Sequence, residues 1–335
     1  MNDRGIDLGT STVVIYNQES GVLLSEPTVV AVDTRQDTVL AVGSAAYEMV
    51  GRTPPHITAA WPLEGGVISD YMLTKEVIKK LLGQVGDSRM VKPRVSVCVP
   101  ASITGVEADA VVDAVVSAGA RQVFLIEEPI AAAIGAGIDI TRPIGRLVVD
   151  IGGGTTDVAV ISMGGIVQSA SIKIAGNYMD HEIVKYVRDK FRIAIGERMA
   201  EKLKREVGCC VGGTPAQEST VAKGRNLLTG LPQSLTITTE DLQGPIMLGV
   251  TEIKEAIHGV LERTPPELAG DIYERGITLT GGGALLAGLP EYLSRELKVM
   301  VEVSDQAQNC VAIGAGKSFA LEGSLESGFR DATPR

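Results

Sequence analysis

One pattern occurs twice in this chain, and it limits the fold more than any other feature. Near the start, Gly5-Ile6-Asp7 runs into the turn Leu8-Gly9-Thr10-Ser11-Thr12 and leaves through the apolar stretch Val13 to Tyr16. Midway along, Arg146 to Asp150 is again an apolar stretch ending in an acid. A turn follows, Ile151-Gly152-Gly153-Gly154-Thr155-Thr156, and then a second apolar run, Asp157 to Ile161. Each copy reads as a strand, an acid at its end, a Gly/Thr turn and a returning strand. Two copies so far apart predict two related lobes.

The segments between and after the copies set the fold class. Val95 to Val99 reads as a buried strand, and Thr104 with Glu107 forms a capping box that opens an Ala/Val-rich helix to about Ala118. Phe124 to Ile126 is another strand, and Pro129 suits the first turn of a helix through Ala131 to Ala136. Further helices are expected over about 180–191, 197–207 and 251–263, with a Gly/Pro/Gln-rich loop over 209–219 and a strand over 235–238. A third strand-to-glycine junction follows, where Gly276 to Thr280 feeds Gly281-Gly282-Gly283. The alternation is that of an α/β protein. Residues 323–335 are polar and Gly/Ser/Pro-containing, and are expected to form a flexible tail.

Composition narrows the function classes. A chain of 335 residues suits one large bilobal domain or two fused ones, and a net charge of −10 without a long Lys/Arg block excludes the usual nucleic-acid binder. Cys98, Cys209, Cys210 and Cys310 have neither metal-ligand nor disulfide spacing, and His56, His181 and His258 form no paired cluster. No window reaches the roughly 18 apolar residues of a membrane span, and the N-terminus runs directly into a strand, so a cytoplasmic location is expected.

The repeated turn carries the chemistry. In each copy a carboxylate, Asp7 or Asp150, stands at a strand end beside a glycine that lets backbone N–H groups approach an anion. The first copy alone reads equally as an ordinary Asp-Gly hairpin. With the second, Gly152, Gly153, Gly154 and Thr155, two loops can close on one polyphosphate from opposite sides, with both acids near Mg²⁺ through its waters. Gly281, Gly282, Gly283 and Ala284 make a third place where backbone can lie against a ligand. None of these turns fits the single phosphate loop GxxxxGK[ST] or the dinucleotide motif GxGxxG.

The segments GIDLGTST, EPTVVAVD, VGRTP, GGVISDY, LIEEPIAAAIGAG, VVDIGGGTTDVAVISMG, IGERMAEKLK and RTPPELAGDIYERGITLTGGGALLAGL resemble the bacterial MreB family over about residues 4 to 320, with some closest to its Mbl and MreBH branch. The resemblance implies an actin-like ATPase fold: two ribonuclease-H-like lobes, each with a smaller inserted subdomain, around a central nucleotide cleft. Lobe I would take residues 1–140 and 305–322, with an insertion at about 31–67. Lobe II would take 141–304, with an insertion at about 179–247.

It also implies ATP and Mg²⁺ as cofactors and a slow ATPase coupled to polymerisation. Thr10, Ser11 and Thr12 match the first phosphate loop, Gly152 to Thr155 the second, and Glu201 with Lys204 the helix facing the nucleoside. Gly281 to Ala284 match the adenosine loop, and Asp7 and Asp150 the metal site. Glu128 and Thr155 match the pair that positions the attacking water. By pattern alone, Glu201 and Lys204 read as a solvated ion-pair face and Glu128 as an acid favoured by a helix N-terminus.

The implied partners are further copies of the chain in head-to-tail filaments, possible antiparallel double protofilaments, the inner face of the cell membrane, and cell-wall elongation proteins. The implied role is maintenance of rod shape. Met90 and Val91 stand where the family carries its membrane loop, and read equally as packing under the following strand. Three departures stand out. Asn177 replaces an acid of the family's AGD-x-x-D segment while Asp180 is kept, Trp61, Glu64 and Gly65 alter the charge of another stretch, and Ala108 and Asp109 replace a charged pair on the helix assigned to the antiparallel contact.

Overall fold

A computed structural model describes residues 3–85, 92–100, 103–325 and 328–334. The duplication seen in sequence is a duplication of topology. In the first sheet, Asp3–Leu8, Thr12–Asn17 and Gly21–Pro27 form an antiparallel meander, and Arg94–Val99 and then Gln122–Glu127 add in parallel on the other side of the first strand. In the second sheet, Arg146–Ile151, Thr156–Ser162 and Gly165–Ile172 form the same meander, and Ile277–Thr280 and Val301–Val303 add in parallel. In both sheets the parallel strands point their C-terminal ends the same way as the strand that carries the acid, so Asp7 and Asp150 occupy equivalent positions.

Each sheet has its own aliphatic core. Ile6, Val13, Ile15, Val95 and Val97 pack with Val77, Leu81, Val111 and Val115 of helices Tyr71–Gln84 and Gly105–Ser117. Val149, Ile151, Val158 and Val160 pack with Ile183, Val187, Ile246, Val250, Ile253 and Ile257 of helices Gly176–Phe191 and Thr239–Arg263. A third cluster, with Ile126, Ile130, Val148, Ala159, Ile161, Val311 and Ala315, joins the two halves. There helices Glu128–Gly135 and Cys310–Lys317 cross so closely that a Cβ on Gly135 or Gly314 would collide with the backbone of the other helix. Small residues at this crossing leave the two halves no room for side chains between the helices.

Two smaller three-stranded sheets complete the plan, one formed by Val30–Asp33, Thr38–Val42 and Ile57–Ala60, the other by Ile193–Ala194, Ser219–Asn226 and Pro232–Thr238.

Several expected elements recur closely. The Thr104/Glu107 capping box is formed in full, and the helix Glu197–Val207 has the expected bounds. Other elements differ. The helix expected over 251–263 starts twelve residues earlier, at Thr239, because a second capping box between Thr238 and Asp241 opens it, its buried face tolerates Pro245 and Gly249, and Gly244 lies on its exposed side. Ser219–Asn226 is a full strand paired with Pro232–Thr238. In place of a wholly flexible tail, Phe329–Asp331 pairs antiparallel with Gln122–Glu127, and Phe329 stacks on Phe124 with ring centroids 5.2 Å apart. An aromatic anchor of this kind offsets the conformational entropy of ordering a polar chain end.

Candidate active site

Four acids meet at the floor of the cleft between the two sheets. Asp7 lies opposite Val14 in its hairpin, whereas Asp150 lies opposite Asp157. Glu128 opens the helix that leaves strand Gln122–Glu127. Thr280 donates its hydroxyl to Asp150 Oδ1 at 2.6 Å. Withdrawal from water, reinforced by the Asp150 charge, pushes the Asp7 carboxyl up to about 8. Asp150 is raised to about 6 by burial against the opposing Thr280 bond, and Asp157 is raised by burial despite hydrogen bonds from Ser171 and Thr155. Glu128 is raised well above the carboxylate range, by desolvation first and then by the charges of Asp157, Asp7 and Asp150.

A cluster of this kind is unfavourable when fully ionised and becomes favourable beside a cation. Among the described residues no group of three or more His, Cys, Asp or Glu side chains is placed to hold a metal ion by itself. Carboxylate oxygens are hard donors, of the kind that suits a hard cation such as Mg²⁺.

The two repeated turns face each other above these acids. Both close through the same bond: Gly9 N–H donates to the Thr12 carbonyl at 3.2 Å, and Gly152 N–H to the Thr155 carbonyl at 2.9 Å. Across the gap, a Cβ on Gly153 would overlap the Ser11 side chain and one on Gly154 would crowd the Thr10 hydroxyl. Thr10 Oγ1 accepts from Gly66 N–H at 3.0 Å. Ser11 Oγ donates to Asn177 Oδ1 at 3.1 Å, while Asn177 N–H donates to the Gly153 carbonyl at 2.8 Å. Asn177 thus ties the first turn to the second with a neutral amide. Thr12, exposed, begins the returning strand.

One wall of the cleft belongs to the second half alone. On helix Glu197–Val207, Lys204 Nζ donates to the Gly176 carbonyl at 2.9 Å and to Asp180 Oδ2 at 2.7 Å. Gly176 N–H in turn donates to Gly152, so the ammonium sits beside the second turn. Asp180 Oδ1 is buried without a hydrogen-bond partner, and burial raises this carboxyl to about 6 although Lys204 opposes the shift. Glu201, one turn before Lys204, accepts the Tyr47 hydroxyl at 2.6 Å.

The third glycine turn closes the back. Gly281 has a φ of 82° and, with Gly283, lies against the Ile151 backbone with no space for a Cβ. Gly282 opens outward, its nearest neighbour 4.0 Å from where a Cβ would be, and Ala284 is buried.

Of the site residues read from sequence, then, the structure brings together Asp7, Asp150, Glu128, Thr10, Ser11, the Gly152–Thr155 turn and Lys204, with Glu201 one turn before Lys204 and the turn Gly281 to Ala284 behind them against Ile151. Met90 and Val91 lie outside the described residues. Sequence reasoning missed Asp157, Thr280, Tyr47 and Gly66. For Asp157 a signal existed, an acid at the head of the apolar run Val158 to Ile161; for Tyr47 none did.

The model of the MreB/Mbl protein family matches residues 1–326. The chain belongs to the MreB/Mbl family. It is 47% identical over 315 residues to the cell shape-determining protein Mbl of Bacillus cereus, covering 94% of each chain. It is 44% identical over 328 residues to the cell shape-determining protein MreB of Escherichia coli, covering 96% of this chain and 94% of that one. The crystal structure of MreB5 of Spiroplasma citri bound to AMPPNP superimposes with a TM-score of 0.90 at 35% identity over 97% of this chain and 99% of that one. A MamK double helical filament subunit, 20% identical, superimposes with a TM-score of 0.80 over 95% of this chain and 98% of that one, a likeness of fold. The fold of this MreB/Mbl family member is actin-like, and its equivalent acids and facing turns lie at the cleft between the two halves.

Proposed function

We propose that this cell-shape cytoskeletal protein binds Mg-ATP in the cleft, hydrolyses it slowly, and uses the bound state to assemble head to tail into filaments along the inner face of the cell membrane. The observation that carries this is the facing of the two turns: hydroxyls of Thr10 and Ser11 on one side, the bare backbone of Gly152 to Gly154 on the other, and Asp7 and Asp150 beneath. That arrangement suits a polyphosphate, which accepts hydrogen bonds from both sides at once. Lys204 adds a positive charge beside the second turn, and Gly282 leaves backbone accessible to the adenosine. The MreB5 relative has been crystallised with both AMPPNP and ADP, which supports the nucleotide reading.

Mg²⁺, held through its waters beside Asp7 and Asp150, would neutralise phosphate charge. In this reading Glu128 and the Thr155 hydroxyl orient a water for in-line attack on the γ-phosphate, with Glu128 accepting its proton. The hydrogen bond between Thr155 and the Asp157 carboxylate fixes the hydroxyl for that task. Closure of the halves around the triphosphate then presents the ends of the molecule for self-contact. Exposed Leu228 and Leu231 on the 226–232 hairpin tip are apolar surface of the kind self-association covers. Among the described residues no helix is long and apolar enough to cross a membrane; membrane attachment is assigned to Met90 and Val91 on the family resemblance alone, and these two lie outside the described residues. We place lobe I at 1–140 with 305–322 and lobe II at 141–304.

Light scattering and pelleting should rise on addition of Mg-ATP. Glu128→Gln should bind ATP and still assemble, yet release phosphate about 100-fold more slowly or worse, as expected for loss of a general base. Undiminished phosphate release in that variant would falsify the assignment of Glu128.

A further inference from the structure

Above the phosphate turns, the two small-sheet regions touch through a cluster contributed by segments far apart in sequence. The short helix Ser44–Tyr47, fixed at its start by Glu26 Oε2 accepting from Ser44 N–H at 2.6 Å, presents Tyr47 and the following Glu48. Helix Glu197–Val207 presents Arg198 and Glu201, three residues apart and so on one face. The Arg198 guanidinium lies over the Tyr47 ring, 4.5 Å from its centroid, and donates to Glu48 Oε1 at 2.9 Å and to the Glu48 carbonyl at 3.2 Å. The Tyr47 hydroxyl donates to Glu201 Oε2 at 2.6 Å. The Glu48 carboxylate that pairs with Arg198 is exposed, so this pair contributes little by itself. The short, charge-assisted bond to Glu201 is the strong member of the set.

Glu201 has a second oxygen. Its Oε1 is 3.8 Å from Arg205 Nη1, too long for a hydrogen bond. Lys204, one turn further along the same face, stands at the second turn, so Glu201 lies one helical turn away from it, and reading Glu201 as the nucleoside-facing acid puts the nucleoside there. An ionised carboxylate only accepts, and the donors that a nucleoside carries next to its phosphates are the ribose hydroxyls. Without the Tyr47 hydroxyl, the Glu201 carboxylate is free to turn toward Arg205 or Arg198.

We infer that Tyr47 is a positioning residue for nucleoside recognition: it holds one oxygen of Glu201 so that the other meets the ribose, and so makes sugar binding and the closure of the small-sheet regions over the cleft one event. This rests on the reading of Glu201 as the nucleoside-facing acid.

The test is a cycle between one protein hydroxyl and the sugar hydroxyls. Mg-ATP and Mg-2′,3′-dideoxy-ATP are titrated calorimetrically into the full chain, its Tyr47→Phe variant and its Glu201→Gln variant, all checked for unchanged melting temperature. The native chain should bind ATP roughly 10-fold more tightly than the dideoxy nucleotide, as for a hydrogen bond to a charged group. Tyr47→Phe should lose most of that preference, weakening ATP but leaving the dideoxy nucleotide within about 2-fold, because the lost contact is the one the analogue lacks. If Tyr47→Phe weakens both nucleotides equally, or neither, while Glu201→Gln abolishes the preference, the role of Tyr47 is overturned and Glu201 keeps its place. A native chain that binds ATP without preferring it to the dideoxy form removes Glu201 from the sugar and the inference with it. Absence of any Mg-ATP binding sinks the nucleotide reading itself.

Discussion

The two halves of this molecule build the same turn and use it differently. In the first half the turn is Gly9-Thr10-Ser11-Thr12, rich in hydroxyls, and the residue opposite its acid is Val14. In the second it is Gly152-Gly153-Gly154-Thr155, nearly bare backbone, and the residue opposite its acid is a second acid, Asp157. The difference is what lets the copies meet. Thr10 and Ser11 occupy the space that side chains on Gly154 and Gly153 would need, so one turn supplies hydroxyls and the other supplies exposed backbone. Two identical hydroxyl-bearing turns would hold each other apart, and two glycine turns would leave a gap. The second half also carries Asp157 where the first half has Val14, and places Asp180 and Lys204 beside its own turn, while the first half contributes Asp7 and Glu128 to the floor of the cleft.

This asymmetry can be broken at four points. The largest effect is expected for Gly153→Ala. Its methyl must displace Ser11, and Mg-ATP affinity should fall about 100-fold or more by calorimetry, the scale of an overpacked contact. Gly270→Ala, placed in open space on the helix Pro266–Arg275 away from the turns, should stay within about 3-fold and serves as the control.

Next is a pH effect confined to the second half. The Asp180 carboxyl titrates near 6 in the folded protein against 3.8 when exposed, so its contribution to stability is full below the lower value and is lost as pH rises through the upper one. Asp180→Asn has no such slope. Without nucleotide, the stability of the native chain relative to this variant should therefore decline by about 1.5 kcal/mol between pH 5 and pH 8 in denaturant titrations. A difference that grows with pH would show that the Lys204 pair, rather than burial, governs this acid.

Asp157→Asn keeps the shape of the side chain and removes the charge that the first half lacks. Phosphate release should slow about 10-fold with ATP affinity within about 3-fold, because the group acts through Thr155 and Glu128 rather than on the ground-state nucleotide. Smallest is Ser11→Ala. It removes the hydroxyl bridge to Asn177 and should cost about 3-fold in ATP affinity, a single partly exposed hydrogen bond.

Much of this was legible because the signals are local. Each hairpin is specified by a run of apolar residues, an acid and a glycine turn within about a dozen positions. The Thr104/Glu107 box closes its helix start with residues three apart, and Glu197–Val207 shows its bounds through its own pattern of charges and aliphatics. Where local signals conflict, reading the chain fails. Gly244, Pro245 and Gly249 argue against the helix that nonetheless begins at Thr239, because the face that carries Pro245 and Gly249 also packs Leu242, Ile246 and Val250 into the second core. The polar chain end gives no hint that Phe329 will find Phe124, since that contact depends on the edge of a sheet built by residues far away.

What the sequence by itself determined was the pair of strand–acid–turn–strand units and hence a duplicated α/β molecule, since backbone stereochemistry and hydrogen bonding decide such units over a few residues. Only the tertiary structure decided that the hydroxyl turn meets the glycine turn, that Asp157 and Glu128 join the two strand-end acids, and that Tyr47 reaches Glu201. Those pairings join residues from different parts of the chain, and their geometry follows from how the Glu128–Gly135 and Cys310–Lys317 helices seat the two cores against each other rather than from any spacing along the chain.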